Sequence, residues 1–336
     1  MKKVLTTNVP SITHIPEISS LFAILLPNKN AHEWLYTNFF SVGIYRKSTI
    51  ESMNKFEDNY DNCPFIKYVD IEYHAMADYY KTNFAAFIEK EIDKDKFISA
   101  TINMNYIPHY GTSSKVTHAM FIYGYERESS IIYIMDHFKT GKFTFEQCSY
   151  YELNNAFYKI KNAENIFNYS YDVRVINISE KAEYHITKDL IISLFLDYLE
   201  GTNLLIKDCY EKKVEVPENY EDVYFGLKYY NVLKEYMLMY PKVRGILTRQ
   251  IHMVYSHMNV LYELAKIIKD KFNADQLYSV NDVKNKSIIL VNLYLKLLLY
   301  LGTEKENSIV SRVYLLLDDI KSMERDILTK YICMLL

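Results

Sequence analysis

His118 and Asp136 are the residues of this chain whose types and placement best suit acid–base chemistry. His118 opens the apolar run HAMFIYGY, Asp136 closes the run IIYIMD, and a polar stretch at residues 126–129 separates them. Two such runs joined by a turn predict neighbouring antiparallel strands, which bring the first residue of one beside the last residue of the other. An imidazole held by a carboxylate is a general base whose tautomer and direction are set by its partner. His118 is therefore the expected base and Asp136 its orienter.

Other elements must hold that pair in place. Residues 18–26 are apolar on most sides, follow Pro16 and Glu17, and stop at Pro27, which predicts a buried helix. A second helix is predicted near residues 31–42 and a third near 76–91, with a strand at 65–73 between them. The period then shortens. Residues 97–105, 117–125, 130–136 and 142–145 are β-branched or aromatic runs separated by polar turns, as in a meander, and residues 171–178 supply a last strand. After that, residues 190–200, 220–239, 243–269, 283–301 and 308–336 all have helical period. The expected class is α+β, with a domain over residues 1–180 and an all-α domain over 181–336. No repeat of solenoid length and no low-complexity tract is evident.

A buried first helix, a helical stretch, and then a small antiparallel sheet with His before one strand and Asp at the end of the next is the papain-like layout. The chain resembles the bacteriocin-processing papain-like peptidases. It is more similar to the domain named after the N-terminus of butirosin biosynthesis protein H, and to proteins encoded beside nonribosomal peptide synthetases. The resemblance rests on Tyr106, Ile107 and Pro108, then His118 with Ile122, Gly124 and Tyr125, then Ile134 and Asp136, and further on Tyr151, Glu152 and Leu153. It implies a papain-like N-terminal domain and acyl or aminoacyl transfer, amide formation or peptide cleavage, in the setting of antibiotic biosynthesis. It also implies a peptide or acyl-carrier thioester as substrate, and a carrier protein or synthetase as partner.

In that family a cysteine begins the first helix, where the helix dipole and the imidazole lower its pKa. Here the corresponding window reads IPEISS and holds no cysteine. Ser19 or Ser20 is one substitute on the same helix, as an oxygen nucleophile or, more simply, a helix cap. Glu17 takes the position without the thiol's chemistry, as a first-turn acid that suits the dipole. Cys63 is the nearest cysteine in sequence, before Pro64 at the start of a strand, and Cys148 reads as a packed thiol. A thioester is already activated, so His118 can assist an amine's attack with no covalent enzyme intermediate. The alternative is a relative that keeps the fold to bind a peptide, a carrier protein or a natural product. Tyr106, Trp34 and Ser114 are the candidate substrate-binding residues, Trp34 having also the plain reading of a helix anchor and Ser114 that of a turn.

Composition narrows the partners. The net charge of −3 gives no broad attraction for nucleic acid or anionic lipid. The four cysteines have no Cys-x-x-Cys spacing, so neither a zinc site nor a disulfide framework is expected, and nothing calls for a cofactor. His252 and His257 do not share a face as i, i+4 ligands would, and read as core or surface residues. The N-terminus lacks a signal-peptide run and residues 288–301 are too short to span a bilayer, so a cytoplasmic protein without a membrane span is expected. Nothing points to a particular oligomeric state.

Overall fold

The structure is a computed structural model, and it describes all residues except 14, 46–51, 55–59, 81–82, 112–115, 140, 161–172 and 240–246. In chain order its elements are β1 (Lys2–Val4), α1 (Pro16–Leu25), α2 (His32–Asn38), β2 (Val42–Tyr45), β3 (Ser52–Asn54), β4 (Ile66–Ile71), α3 (Tyr73–Tyr80), α4 (Phe84–Ile92), β5 (Lys96–Asn103), β6 (Thr117–Glu126), β7 (Ile131–His137), β8 (Phe143–Ser149), α5 (Tyr150–Tyr158) and β9 (Val173–Ile178). The C-terminal region carries α6 (Lys188–Glu200), α7 (Leu204–Lys212), β10 (Val223–Phe225), α8 (Lys228–Met239), α9 (Thr248–Phe272), α10 (Leu277–Leu299) and α11 (Glu306–Leu335). The protein is thus α+β, with an antiparallel sheet and a helical C-terminal region. Among the described residues no helix is long and apolar enough to cross a membrane.

The chain forms two compact units. One is Met1–His32 with Asp58–Glu183, and the other is Glu33–Glu57 with Tyr184–Leu336. The described residues between Glu33 and Asn54 therefore belong with the C-terminal helices, although the sequence predicts one domain over all of 1–180. The cause is local chemistry within that second unit. Phe40 sits 5.2 Å from Phe195 and 5.1 Å from Tyr198, and Glu33 accepts hydrogen bonds from the Ile186 amide at 2.7 Å and from Lys271.

In the first unit the sheet runs β4-β9-β5-β6-β7-β8, every pairing antiparallel. The strands β5 to β8 follow chain order, with short turns joining β6 to β7 and β7 to β8 and a longer segment with two single-turn helices joining β5 to β6. β9 instead inserts between β4 and β5, a non-local pairing that local pattern does not encode. β1 pairs with the far end of β6, from Gly124 to Glu126. That pairing requires Gly124, since a Cβ there would stand 2.8 Å from the Lys3 carbonyl oxygen and 2.9 Å from Val4 Cα.

α1 explains itself. All of Ile18–Leu25 is buried, so a helix with no polar face becomes the centre of the unit and packs on β7. The helix expected over 76–91 is two helices, because the Asn83 side chain accepts from the Ala86 amide and starts α4 afresh. α4 then stacks Phe84 on Phe157 of α5 at 3.8 Å. α5 opens with a capping box between Ser149 and Glu152, so Glu152 is a helix-start residue.

The second unit departs from the all-α expectation. The helix expected over 31–42 stops at Asn38, and Val42–Tyr45 forms a strand. The helix expected over 220–239 begins only at Lys228, since Val223–Phe225 pairs with β2 in a three-stranded sheet β10-β2-β3. Asn203, the cap of α7, holds that segment out of helix by donating to the Tyr220 and Val223 carbonyls at 2.7 and 3.0 Å.

His257 of α9, expected only as core or surface, is fully buried. Its Nε2 lies 2.5 Å from Glu324 Oε1 of α11, Tyr230 of α8 donates to Glu324 Oε2 at 2.8 Å, and Tyr198 of α6 stacks on the imidazole at 4.9 Å. One polar cluster thus fixes the register of four helices.

Two stability tests follow from this packing. Gly124→Ala should destabilise the protein by about 1–3 kcal/mol by displacing β1, measured by urea unfolding. His257→Leu should cost about 3–5 kcal/mol by stranding Glu324, and adding Glu324→Leu should recover much of the loss. Recovery absent in the double variant would argue that the cluster acts by shape and not by charge.

Candidate active site

β6 and β7 position the expected pair. Phe121 pairs with Met135, so Asp136 and His118 project from the same sheet face as diagonal neighbours across the two strands. His118 Nε2 lies 3.0 Å from Asp136 Oδ2 and 3.3 Å from Oδ1. Asp136 is buried, whereas the His118 side chain keeps 20% exposure and can meet a substrate.

Asp136 is held by more than histidine. The Tyr110 hydroxyl donates to its Oδ2, and the backbone N–H of His137 donates to its Oδ1 at 2.6 Å. The Tyr110 ring also sits edge-on to His118, with centroids 6.0 Å apart, and packs on Phe138 at 4.9 Å. A turn, Pro108–Tyr110, delivers this residue, and Gly111 ends it at φ 60°, a left-handed conformation that glycine adopts without strain. A buried carboxylate with donors on both oxygens cannot rotate, so the imidazole direction is set.

The start of α1 lies beside this pair. His137 Nε2 meets the Thr13 carbonyl oxygen at 2.5 Å, tying the end of β7 to the chain just before the helix. Glu17, on the first turn of α1, is close enough for its charge to act on His118. Burial alone would lower the His118 pKa, but the hydrogen bond and charge of Asp136, with the charge of Glu17, carry it above its ordinary value. The side chain of Ile15, the N-cap residue, makes no capping bond, Pro16 has no N–H, and the amides of Glu17 and Ile18 precede the first bond of the helix, from the Ser19 amide to the Ile15 carbonyl.

The other expected residues fare differently. Ser19 is fully buried inside α1, and its hydroxyl donates back to the Ile15 carbonyl at 2.7 Å, so it is neither the cap nor a presented nucleophile. Cys63 is buried in the turn before β4, and burial pushes its thiol up to about 12, which leaves it protonated and unreactive. Cys148 is buried on β8 and its thiol is likewise pushed up by burial. Trp34 is a core residue of the second unit, edge-on to Phe39 at 5.9 Å, so its anchoring role holds and substrate contact does not. Tyr106 stacks under Lys159, 4.8 Å from its ring, while Tyr110 reaches the carboxylate. Ser114 lies outside the described residues.

Tyr110 and His137 are therefore the residues that sequence reasoning missed. The signal for Tyr110 was the Pro-His-Tyr-Gly turn, and for His137 its adjacency to Asp136. No protein-family model matches this chain, and no curated protein matches it.

The arrangement is a directed imidazole between two carboxylates, which can accept, hold and return a proton. Because its folded pKa is raised, His118 adds stability that is fully present below the unfolded value of about 6.5 and is lost as pH rises through the folded value. Histidine-selective NMR titration should place the His118 pKa above about 6.5. Asp136→Asn should lower it most and Glu17→Gln should lower it less. An unchanged pKa in both variants would remove the electrostatic coupling described here.

Proposed function

We propose that the first unit is a papain-like acyl-transfer domain that works without a covalent thiol intermediate. His118 is the general base, Asp136 orients it, and Tyr110 positions Asp136. The observation that carries this reading is the 3.0 Å contact between His118 Nε2 and a buried, doubly anchored carboxylate, with an uncapped helix start beside it. The resemblance of residues 106–153 to the butirosin-type domain supports the same reading and suggests an acyl-carrier thioester as donor.

In the proposed reaction an amine attacks the thioester carbonyl carbon. His118 takes the proton from the attacking nitrogen as the C–N bond forms. The C–S bond then breaks, and the imidazolium returns the proton to the leaving thiolate, so the enzyme ends unchanged. First-turn N–H groups of α1 suit the oxyanion that forms on the carbonyl oxygen. Neutral imidazole is the working form, so kcat/KM should rise with pH through the His118 pKa.

A second reading has its own support. The window at residues 15–20 holds no thiol, and the Ser19 hydroxyl is turned back into its helix. Both facts suit a domain that binds a peptide, carrier protein or natural product without turning it over.

One experiment separates the two. The protein is incubated with an acyl-pantetheine thioester and a primary amine, and both the amide and the intact protein mass are followed by mass spectrometry. Catalysis predicts amide formation that falls about 10²–10⁴-fold in His118→Ala, with no acylated protein. The acid limb should move to lower pH in Glu17→Gln. Absence of amide formation, or equal rates in wild type and His118→Ala, would leave the binding reading in its place.

A further inference from the structure

Helix α10 is apolar on two sides, and the core of the second unit uses only one of them. Val280, Val283, Leu290, Tyr294 and Leu297 are buried where α10 packs on α9 and α11. On the other side Tyr278, Ile288, Ile289, Leu295 and Leu299 stand in the open, Tyr278 at 88% and Leu299 at 82% exposure. Their spacing keeps them on one stripe of the helix. Single exposed apolar residues are ordinary, but a stripe of them along one helix points to a surface that a partner covers.

The order of residues along the stripe says which partner. Every exposed position of α10 has an exposed counterpart equally far beyond the midpoint between Ile288 and Ile289. Two copies of α10 laid antiparallel about a twofold axis at that midpoint therefore set Ile288 on Ile289, Asn285 on Asn292 and Tyr278 on Leu299, each contact occurring twice. Helical period alone gives the mirrored positions, whereas the residue types make apolar meet apolar and amide meet amide. The charges agree. Asp282 and Lys296 are the only charged residues among the exposed positions of α10, and they lie two turns to either side of Ile289. The antiparallel pairing brings each carboxylate beside an ammonium of the other copy, and a parallel pairing would set like charges together. Neither side chain takes part in an ion pair or hydrogen bond among the described residues, so both are available. A lipid surface suits the stripe poorly, because Asn281, Asn285, Asn292 and Asp282 share it with a single cation.

We propose that α10 is an interface between two copies of this chain, an isologous antiparallel contact about a twofold axis at Ile288 and Ile289. The Asn285–Asn292 amide pairs fix the register, as a polar residue does in a helix–helix seam. The stripe is about 30 Å long at 1.5 Å per residue. One helix face of that size stands at the small end of specific interfaces, so the dimer forms and dissociates with concentration. The contact does not rest on the chemistry proposed for His118.

Sedimentation equilibrium of the full chain tests it. A monomer–dimer exchange is expected with a Kd of about 1–100 µM. Ile289→Asp should weaken association about 10²-fold, since the residue sits at the axis and is lost from both copies. Ile289 is 56% exposed, so the melting temperature of that variant should stay near that of the wild type. Asp282→Lys and Lys296→Asp should each weaken the dimer about tenfold. Combining them should restore the wild-type Kd to within about threefold, because the twofold pairing then only exchanges the two signs. A chain that stays monomeric up to about 1 mM, a dimer indifferent to Ile289→Asp, or a charge-swapped double variant no tighter than the single ones would overturn the proposal.

Discussion

The contact between His118 and Asp136 is the constraint on which the site depends. It exists because β6 and β7 pair antiparallel, with the register that sets Phe121 opposite Met135. A slip of one residue would send Asp136 to the other face of the sheet, since side chains alternate along a strand. Both faces of the pair are buried, Met120, Ile122, Ile132 and Ile134 on the face of the site and Phe121 and Met135 on the other, so a slip would have to repack both. Sheet packing and site geometry are therefore the same fact seen at two scales.

What surrounds the contact decides its chemistry. Asp136 receives Tyr110 and the His137 amide in addition to the imidazole, so its orientation is specified by three separate backbone segments. Glu17 brings a second negative charge, from the first turn of a helix that is buried from Ile18 onward. The balance of burial against two carboxylates leaves the imidazole with a raised proton affinity.

In the second unit a polar cluster is buried between helices. The His257–Glu324–Tyr230 cluster is closed to solvent, and its role is to hold helices in register. Polar groups that bond one another across several helices help to specify a fold.

The sequence by itself determined the elements whose pattern is local. The largely apolar α1, the strands from β5 to β8, the long C-terminal helices, and the placing of His118 beside Asp136 could all be read from period and spacing, because helices and short-turn hairpins are set by near neighbours. Tertiary structure alone decided the rest. It placed β9 between β4 and β5, drew the described residues between Glu33 and Asn54 into the helical unit, converted Val223–Phe225 from a helical pattern to a strand, and brought Tyr110 onto Asp136. It also demoted Ser19, Cys63 and Trp34 by burying them. The physical reason is common to all of these: pairing between distant segments, and the desolvation that follows from it, depends on which surfaces meet, and local periodicity carries no record of that.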